Sequence, residues 1–277
     1  EAGSYILQVA YGCSHNACTF CPTYKDVRFQ VRDRREVAED IGAAAALMPR
    51  TRRVFLADGN ALCLPARDLE AILERLRAAF PFLERVGVYA NGRDILEKSD
   101  EELSRLRELG LGIVYLGLES GDDRVLRAVR KRDTSEEMVE AVLKVRRHGI
   151  KASVIVLLGL GGADGSEEHA ARSARAVSRM NPEYLSALTL MVVPGTPLWE
   201  KQRAGEFVLP SQRGLLAELR LFLQGCELQG CVFRTNHASN YLPLGGVLSR
   251  DREDMLKAVD RACERPEFLR PEHMRAL

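Results

Sequence analysis

Three cysteines near the start of the chain, Cys13, Cys18 and Cys21, are the residues best suited to do chemistry. Four residues separate the first pair and two the second, just after the apolar run at 5–10. Closely spaced thiolates on one loop can hold an iron–sulfur cluster, each sulfur taking its own iron. Three such ligands leave the fourth iron of a [4Fe–4S] cluster open to a small molecule. Spacing alone leaves two other readings open. Zinc takes four protein ligands, or three and a water, and His15 is at hand as a fourth within a tight loop. The third reading is inert, buried thiols. A disulfide framework does not suit 277 residues with seven cysteines and no secretory signal.

The remaining composition excludes several classes. A hydrophobic content of 46% fills a core without staples. A formal net charge of +1 offers polyanions no general attraction, which argues against a nucleic-acid partner. Apolar runs such as 152–160 are too short to span a bilayer, so no membrane role is expected. The first residues carry no signal-peptide pattern. Thiolate ligands must stay reduced, so the expected compartment is the cytoplasm.

The elements that must position the cysteines follow a regular alternation. Apolar runs at 5–10, 53–57, 86–89, 113–118, 152–158 and 184–193 read as strands, and the segments between them carry helical periodicity. Six β–α repeats predict an α/β fold, a partial (β/α)6 TIM-like barrel with helices outside. Ligands then sit at the C-terminal ends of the strands. Asp58-Gly59-Asn60, Asn91, Glu119-Ser120 and Gly159 all follow strands and fall on that face, as does the cysteine loop. A dinucleotide fold does not fit, because the glycines at 159, 161 and 162 lack the GxGxxG spacing. The expected organisation is a core over 5–198 and a C-terminal extension over 199–277 that covers the barrel opening.

Two features of the extension bear on function. Cys226 and Cys231, with Cys263 or Cys63, invite an auxiliary cluster, yet they form no CxxC pair, which favours structural thiols. The polar string at 234–241 suits a substrate pocket, with Asn236, His237 and Asn240 as its catalytic candidates. His237 has the side chain whose ordinary pKa lies nearest neutrality. The alternative is a hydrogen-bonded turn that joins the extension to the barrel.

Taken together the motifs are similar to those of the radical S-adenosylmethionine (SAM) superfamily. Phe20 stands immediately before Cys21; LADGNAL spans 56–62, YLGLESGDDRVL 115–126 and VLLGLGG 156–162, with SEEHAARSA at 166–174. The family's usual loop has three residues between its first two cysteines; here there are four, an insertion that a loop absorbs. The chain most resembles compact members of the Elp3/MiaB/NifB-like group. By position, the resemblance implies that Cys13, Cys18 and Cys21 hold a [4Fe–4S] cluster whose open iron takes the amino and carboxylate groups of SAM. It implies Phe20 near adenine, and Asp58, Gly59 and Asn60 at the methionine amino group. Asn91 would meet the methionine or ribose, Glu119 and Ser120 the ribose, and Arg146 the SAM carboxylate. Gly159 completes the cofactor-binding set.

The implied activity is reductive cleavage of SAM to a 5′-deoxyadenosyl radical that abstracts hydrogen from a small or medium organic substrate. A one-electron donor such as flavodoxin or ferredoxin would be the partner. RNA modification through the arginine-rich stretch 124–132 is the alternative, as is cleavage of a different C–S bond of SAM. A non-catalytic cluster carrier is the remaining reading. Thr23 occupies the position where the coproporphyrinogen dehydrogenase branch has a further cysteine, and no RNA-binding barrel or cobalamin-binding domain is legible.

Overall fold

The apolar runs become strands because their side chains alternate between two faces that both need cover. The structure, a computed structural model, describes residues 3–276. In chain order the elements begin with β1 (Tyr5–Gln8), β2 (Ala10–Tyr11), β3 (Gln30–Val31), α1 (Arg34–Leu47) and β4 (Arg53–Ala57). A 3-10 turn at Ala61–Cys63 leads to α2 (Ala66–Ala79), β5 (Arg85–Ala90), α3 (Gly92–Leu96), α4 (Asp100–Glu108) and β6 (Leu111–Glu119). Then come α5 (Asp123–Ala128), α6 (Ser135–Arg147), β7 (Lys151–Leu158), α7 (Gly162–Met180) and β8 (Tyr184–Thr189). The chain continues with α8 (Pro197–Arg203), α9 (Gln212–Gly225), β9 (Val232–Arg234), β10 (Gly245–Val247) and α10 (Leu248–Glu264).

Among the described residues an eight-stranded sheet runs in the order β1-β4-β5-β6-β7-β8-β9-β10, and β2 pairs separately with β3. The sheet is open, with β1 and β10 at its edges. Its first six strands are the six expected from sequence. Two compact units divide the chain. The first comprises the stretch up to Asn16, Thr23–Leu116 and Glu140–Ala152; the second comprises Ala17–Pro22, Gly117–Val139 and the stretch from Ser153 on.

In the first unit the parallel register aligns Leu7 with Leu56, Leu56 with Val88, and Val88 with Val114. These four side chains are at most 1% exposed. The opposite face carries Phe55, Tyr89 and Tyr115, whose rings meet edge-on with centroids 4.9–6.0 Å apart. Gly87 lies among them, and a Cβ there would stand 3.2 Å from Phe55 and Ile113. The missing side chain makes room for the rings. Helix α2 buries Leu69, Leu73 and Leu76 on one stripe, as its spacing predicts. Ser99 and Glu102 cap α4 reciprocally.

In the second unit β8 pairs with β7 and, through Tyr184–Ser186, with β9, both parallel; β10 then turns back antiparallel. The extension therefore lengthens the sheet, and its helix α9 packs on α7. The expected strand at 184–193 stops at Thr189: Leu190 N–H still donates to Leu158 O at 2.9 Å, and Pro194-Gly195 then turns the chain. Among the described residues no helix is long and apolar enough to cross a membrane.

Candidate functional site

In the first unit one buried amide organises the strand ends. Asn60 follows β4 and is 2% exposed. Its Oδ1 accepts from Ser14 N–H at 3.0 Å and faces Cys13 Sγ at 3.6 Å. Its Nδ2 donates to Ser14 Oγ at 2.8 Å and to Asp94 Oδ2 at 2.7 Å. Asp94 Oδ2 also accepts from Asn91 N–H at 2.9 Å, which ties in the end of β5. The start of the cysteine loop and two strand ends thus share a single side chain.

Gly59 seals the same junction. With φ +41, a Cβ there would lie 2.3 Å from Gly12 O and 2.6 Å from Cys13 Cα. Only glycine permits that approach. Beside it, Asp58 accepts from Gln8 Nε2 at 2.9 Å and from the Tyr24 hydroxyl at 2.7 Å. Gly59 N–H donates to the same hydroxyl oxygen at 3.2 Å. Burial, and then the bond to Asp58, push Tyr24 up to about 12, so the hydroxyl keeps its proton and stays a donor. Asn91 Nδ2 is a buried donor without an acceptor among the described residues.

In the second unit Thr19 is stitched on both sides: its N–H donates to Val129 O at 2.9 Å, and its carbonyl accepts from Leu198 N–H at 3.1 Å. Phe20 consequently packs on Val129, Leu160, Leu190 and Leu198. Glu119 ends β6 with φ +62. Its carboxylate folds over Gly117, where a Cβ would collide at 1.9 Å, and lies 3.5 Å from Lys131 Nζ. Burial pushes the Glu119 carboxyl above its ordinary range, and Lys131 opposes that shift.

Behind Ser120 and Gly159 lies a polar chain with no counterpart in the sequence expectations. Ser120 Oγ accepts from Asp122 N–H at 3.0 Å and sits 2.8 Å from His169 Nδ1. His169 Nε2 faces Glu218 Oε1 at 3.5 Å. That oxygen accepts from Gly159 N–H at 2.7 Å, and Ser166 Oγ–H donates to Oε2. Burial lowers His169 to about 4. Burial raises Glu218 to about 7 against the two bonds it accepts.

The remaining sequence candidates are placed differently. Arg146 lies in the last turn of α6, next to Gly149, whose carbonyl accepts from Arg107 of α4 at 2.9 Å. Helices α4 and α6 run into the starts of β6 and β7, so this is the strand-start side of the first unit. Asn60 and Asn91 lie at strand ends, and the structure does not bring Arg146 to them. Asn236 and His237 are exposed, and His237 Nδ1 stays local, 2.9 Å from Ser239 Oγ. Asn240 is buried, accepting from Thr189 Oγ1 at 2.8 Å and donating to Ala187 O at 2.9 Å. It braces the end of β8. Cys226 and Cys231 are buried, and burial raises the Cys226 thiol to about 12.

Gln8, Tyr24 and Asp94 were legible only as ordinary polar residues, and nothing in their spacing pairs them with Asp58 or Asn60. His169 and Glu218 stand 49 residues apart in sequence, a separation no local pattern bridges.

The residues fit a cluster with SAM bound to it. Cys13, Cys18 and Cys21 are partly exposed and form no disulfide. Gly59 packs against the Cys13 backbone, and the Asn91 donor awaits an acceptor. Among the described residues no three His, Cys, Asp or Glu side chains converge on one ion site; a four-iron cluster needs no such point, since each thiolate takes its own iron.

Comparison with known proteins agrees. The radical SAM superfamily model matches residues 7–174. A curated relative from Pyrococcus horikoshii, a probable threonylcarbamoyladenosine tRNA methylthiotransferase, is 26% identical over 223 residues. That match takes in 78% of this chain and 52% of the relative, so the chain spans about half the relative's length. The fold resembles methylornithine synthase (TM-score 0.58, 18% identity, 94% of this chain and 80% of that one). It also resembles the methyltransferase TsrM from Kitasatospora setae with cobalamin and a [4Fe–4S] cluster bound (TM-score 0.59, 21% identity, 75% of this chain and 41% of that one). The chain belongs to the radical SAM superfamily, whose enzymes use a [4Fe–4S] cluster and SAM.

Proposed function

We propose that Cys13, Cys18 and Cys21 hold the cluster, that SAM lies on the strand ends, and that the enzyme abstracts hydrogen from a small or medium organic substrate. The observation that carries this reading is the Asn60 clamp, which binds the start of the cysteine loop to the strand ends bearing Asp58, Gly59 and Asn91. When bound, cluster and SAM supply one-electron cleavage of the C5′–S bond and a 5′-deoxyadenosyl radical. The chain's own residues do the positioning. Asn91 offers its unpartnered amide to a carboxylate or hydroxyl of SAM. Asp58, fixed by Gln8 and Tyr24, presents a negative edge to the methionine ammonium. Phe20 offers an apolar surface to adenine, while Glu119, Ser120 and Gly159 serve its ribose and base. A flavodoxin or ferredoxin supplies the electron, and the thiolates call for a reducing compartment such as the cytoplasm.

Anaerobically reconstituted protein treated with dithionite should release 5′-deoxyadenosine and methionine, and Ala at Cys13, Cys18 or Cys21 should abolish release together with bound iron. Methylthioadenosine as the nucleoside product would instead assign cleavage to another C–S bond. A second reading, RNA modification, draws on the tRNA named in the curated relative. Of its basic stretch, Lys131 is turned inward to Glu119, which leaves fewer side chains for phosphate. Retention on tRNA that falls with added salt would support it.

A further inference from the structure

Glu218 belongs to α9, in the part of the chain beyond the family match, yet its carboxylate is 1% exposed and lies at the end of β7. Both of its oxygens are engaged there, Oε1 by Gly159 N–H at 2.7 Å and Oε2 by Ser166 Oγ–H. His169 Nε2 faces Oε1 at 3.5 Å without a hydrogen bond, and the acceptor lone pairs there favour the Nε2–H tautomer. His169 Nδ1 is then an acceptor, and Ser120 Oγ–H donates to it while accepting from Asp122 N–H. Hydrogen bonds therefore run from Asp122 N–H to Ser120 and from Ser120 to His169, whose Nε2 lies 3.5 Å from Glu218 Oε1 without a hydrogen bond between them. Gly159 closes the chain from the other side.

Its two ends are the ends of β6 and β7. Close packing leaves those ends no slack. A Cβ at Gly159 would lie 2.8 Å from Leu215 of α9, one at Gly161 2.8 Å from His169 Cβ, and one at Gly121 2.3 Å from Arg172 O. Nothing in catalysis as proposed uses His169 or Glu218, and burying polar groups is costly where apolar packing would serve.

We infer that Glu218, acting through Gly159 and through His169 to Ser120, is a positioning residue for SAM that fixes the spacing of the strand ends taking its ribose and adenine. This rests on the proposed placement of SAM against Ser120 and Gly159. The extension is thereby a working part of the cofactor site.

The test compares SAM affinity, measured by anaerobic equilibrium dialysis on cluster-loaded protein, with iron content and thermal midpoint. Glu218→Gln keeps an acceptor for Gly159 N–H and a polar group for Ser166, and should bind SAM within about twofold of the parent. Glu218→Ala should weaken SAM binding at least about tenfold with iron content unchanged. Phe222→Ala removes a fully buried ring from the same helix without touching the chain of bonds, and should lower the midpoint while leaving affinity within about twofold. Equal loss of affinity in Phe222→Ala and Glu218→Ala, or parental affinity in Glu218→Ala, would overturn the inference. If Glu218→Ala does not fold, Ser166→Ala withdraws one donor from the same carboxylate and should still cost about threefold; an unchanged affinity there overturns the inference equally. Failure of the parent itself to hold iron or bind SAM would sink the proposed function, a result distinct from any of these.

Discussion

Replacement of Asn60 probes the clamp most directly. Asn60→Ala withdraws the acceptor of Ser14 N–H and the donors to Ser14 Oγ and Asp94 Oδ2. Neutral hydrogen bonds contribute about 1 kcal/mol each and one to a charged group about 1.5–3 kcal/mol. Asp94 is 2% exposed and keeps its bond from Asn91 N–H, so its loss is partial. The sum is about 4 kcal/mol of stability, with weaker iron retention because the loop start is released. Asn60→Asp is nearly isosteric but sets a second carboxylate where the 2.7 Å donor stood. Two charges about 4 Å apart cost about 4 kcal/mol at an effective dielectric of 20. Such a pair takes up a proton on folding, so its shared pKa is raised above the unfolded value; stability is then present at low pH and lost as pH rises through the folded pKa. Urea denaturation of the metal-free variants should show Asn60→Asp less destabilised at pH 5 than at pH 8, and Asn60→Ala the same sign with a smaller difference, because its buried Asp94 loses a donor. Midpoints equal to the parent at both values, with parental iron retention, would refute the clamp.

Gly59→Ala, which drives a methyl into Gly12 O and Cys13 Cα, should cost about 2 kcal/mol or more from the left-handed backbone and the overlap together, and should lower iron content on reconstitution. Lys131→Met leaves the raised Glu119 carboxyl without its cation; the folded protein then holds a proton that the unfolded chain releases, so the loss, about 3 kcal/mol, should appear at pH 8 and shrink toward pH 5.5 in denaturation curves. Glu218, raised to about 7, contributes stability at low pH that is lost as pH rises, while His169, lowered to about 4, contributes stability that is lost as pH falls below its ordinary value. The thermal midpoint of the parent should therefore drop between about pH 5 and 7 relative to Glu218→Gln, and parallel profiles would refute the assignment.

The sheet was legible because two-sided burial writes itself as apolar runs, and Val54-Phe55-Leu56 or Val154–Val156 admit little else. Strand ends were legible too, since Asp58-Gly59-Asn60 and Asn91 break those runs abruptly. Other features were hidden for physical reasons. The β2–β3 ladder pairs only two residues with two, Ala10–Tyr11 with Gln30–Val31, too few to leave a pattern. Helix α3 is set by the Asn91–Asp94 cap alone. Arg146 entered through the family resemblance alone, yet the three residues that separate it from Gly149 place it where a helix hands over to the next strand. His237 stood out by its chemistry, but the side chains in that string with long-range bonds include Asn240 and Tyr241, and only folding reveals their partners on β8 and at Glu272.

The end of β8 depends on a residue made much later. Arg275, its side chain 2% exposed, lies over the Tyr241 ring at 4.1 Å and donates to Ser239 O at 2.7 Å. It also reaches Leu190 O at 3.4 Å, across 85 positions of sequence. At about 5–20 residues per second, a ribosome that has just finished Leu190 needs roughly 4–17 s more to deliver that guanidinium. Until then the carbonyls of Ser239 and Leu190 lack that donor and face water or a chaperone. The second unit is thus completed only once residue 275 has been made, and a stalled nascent chain lacking it would present that edge uncovered.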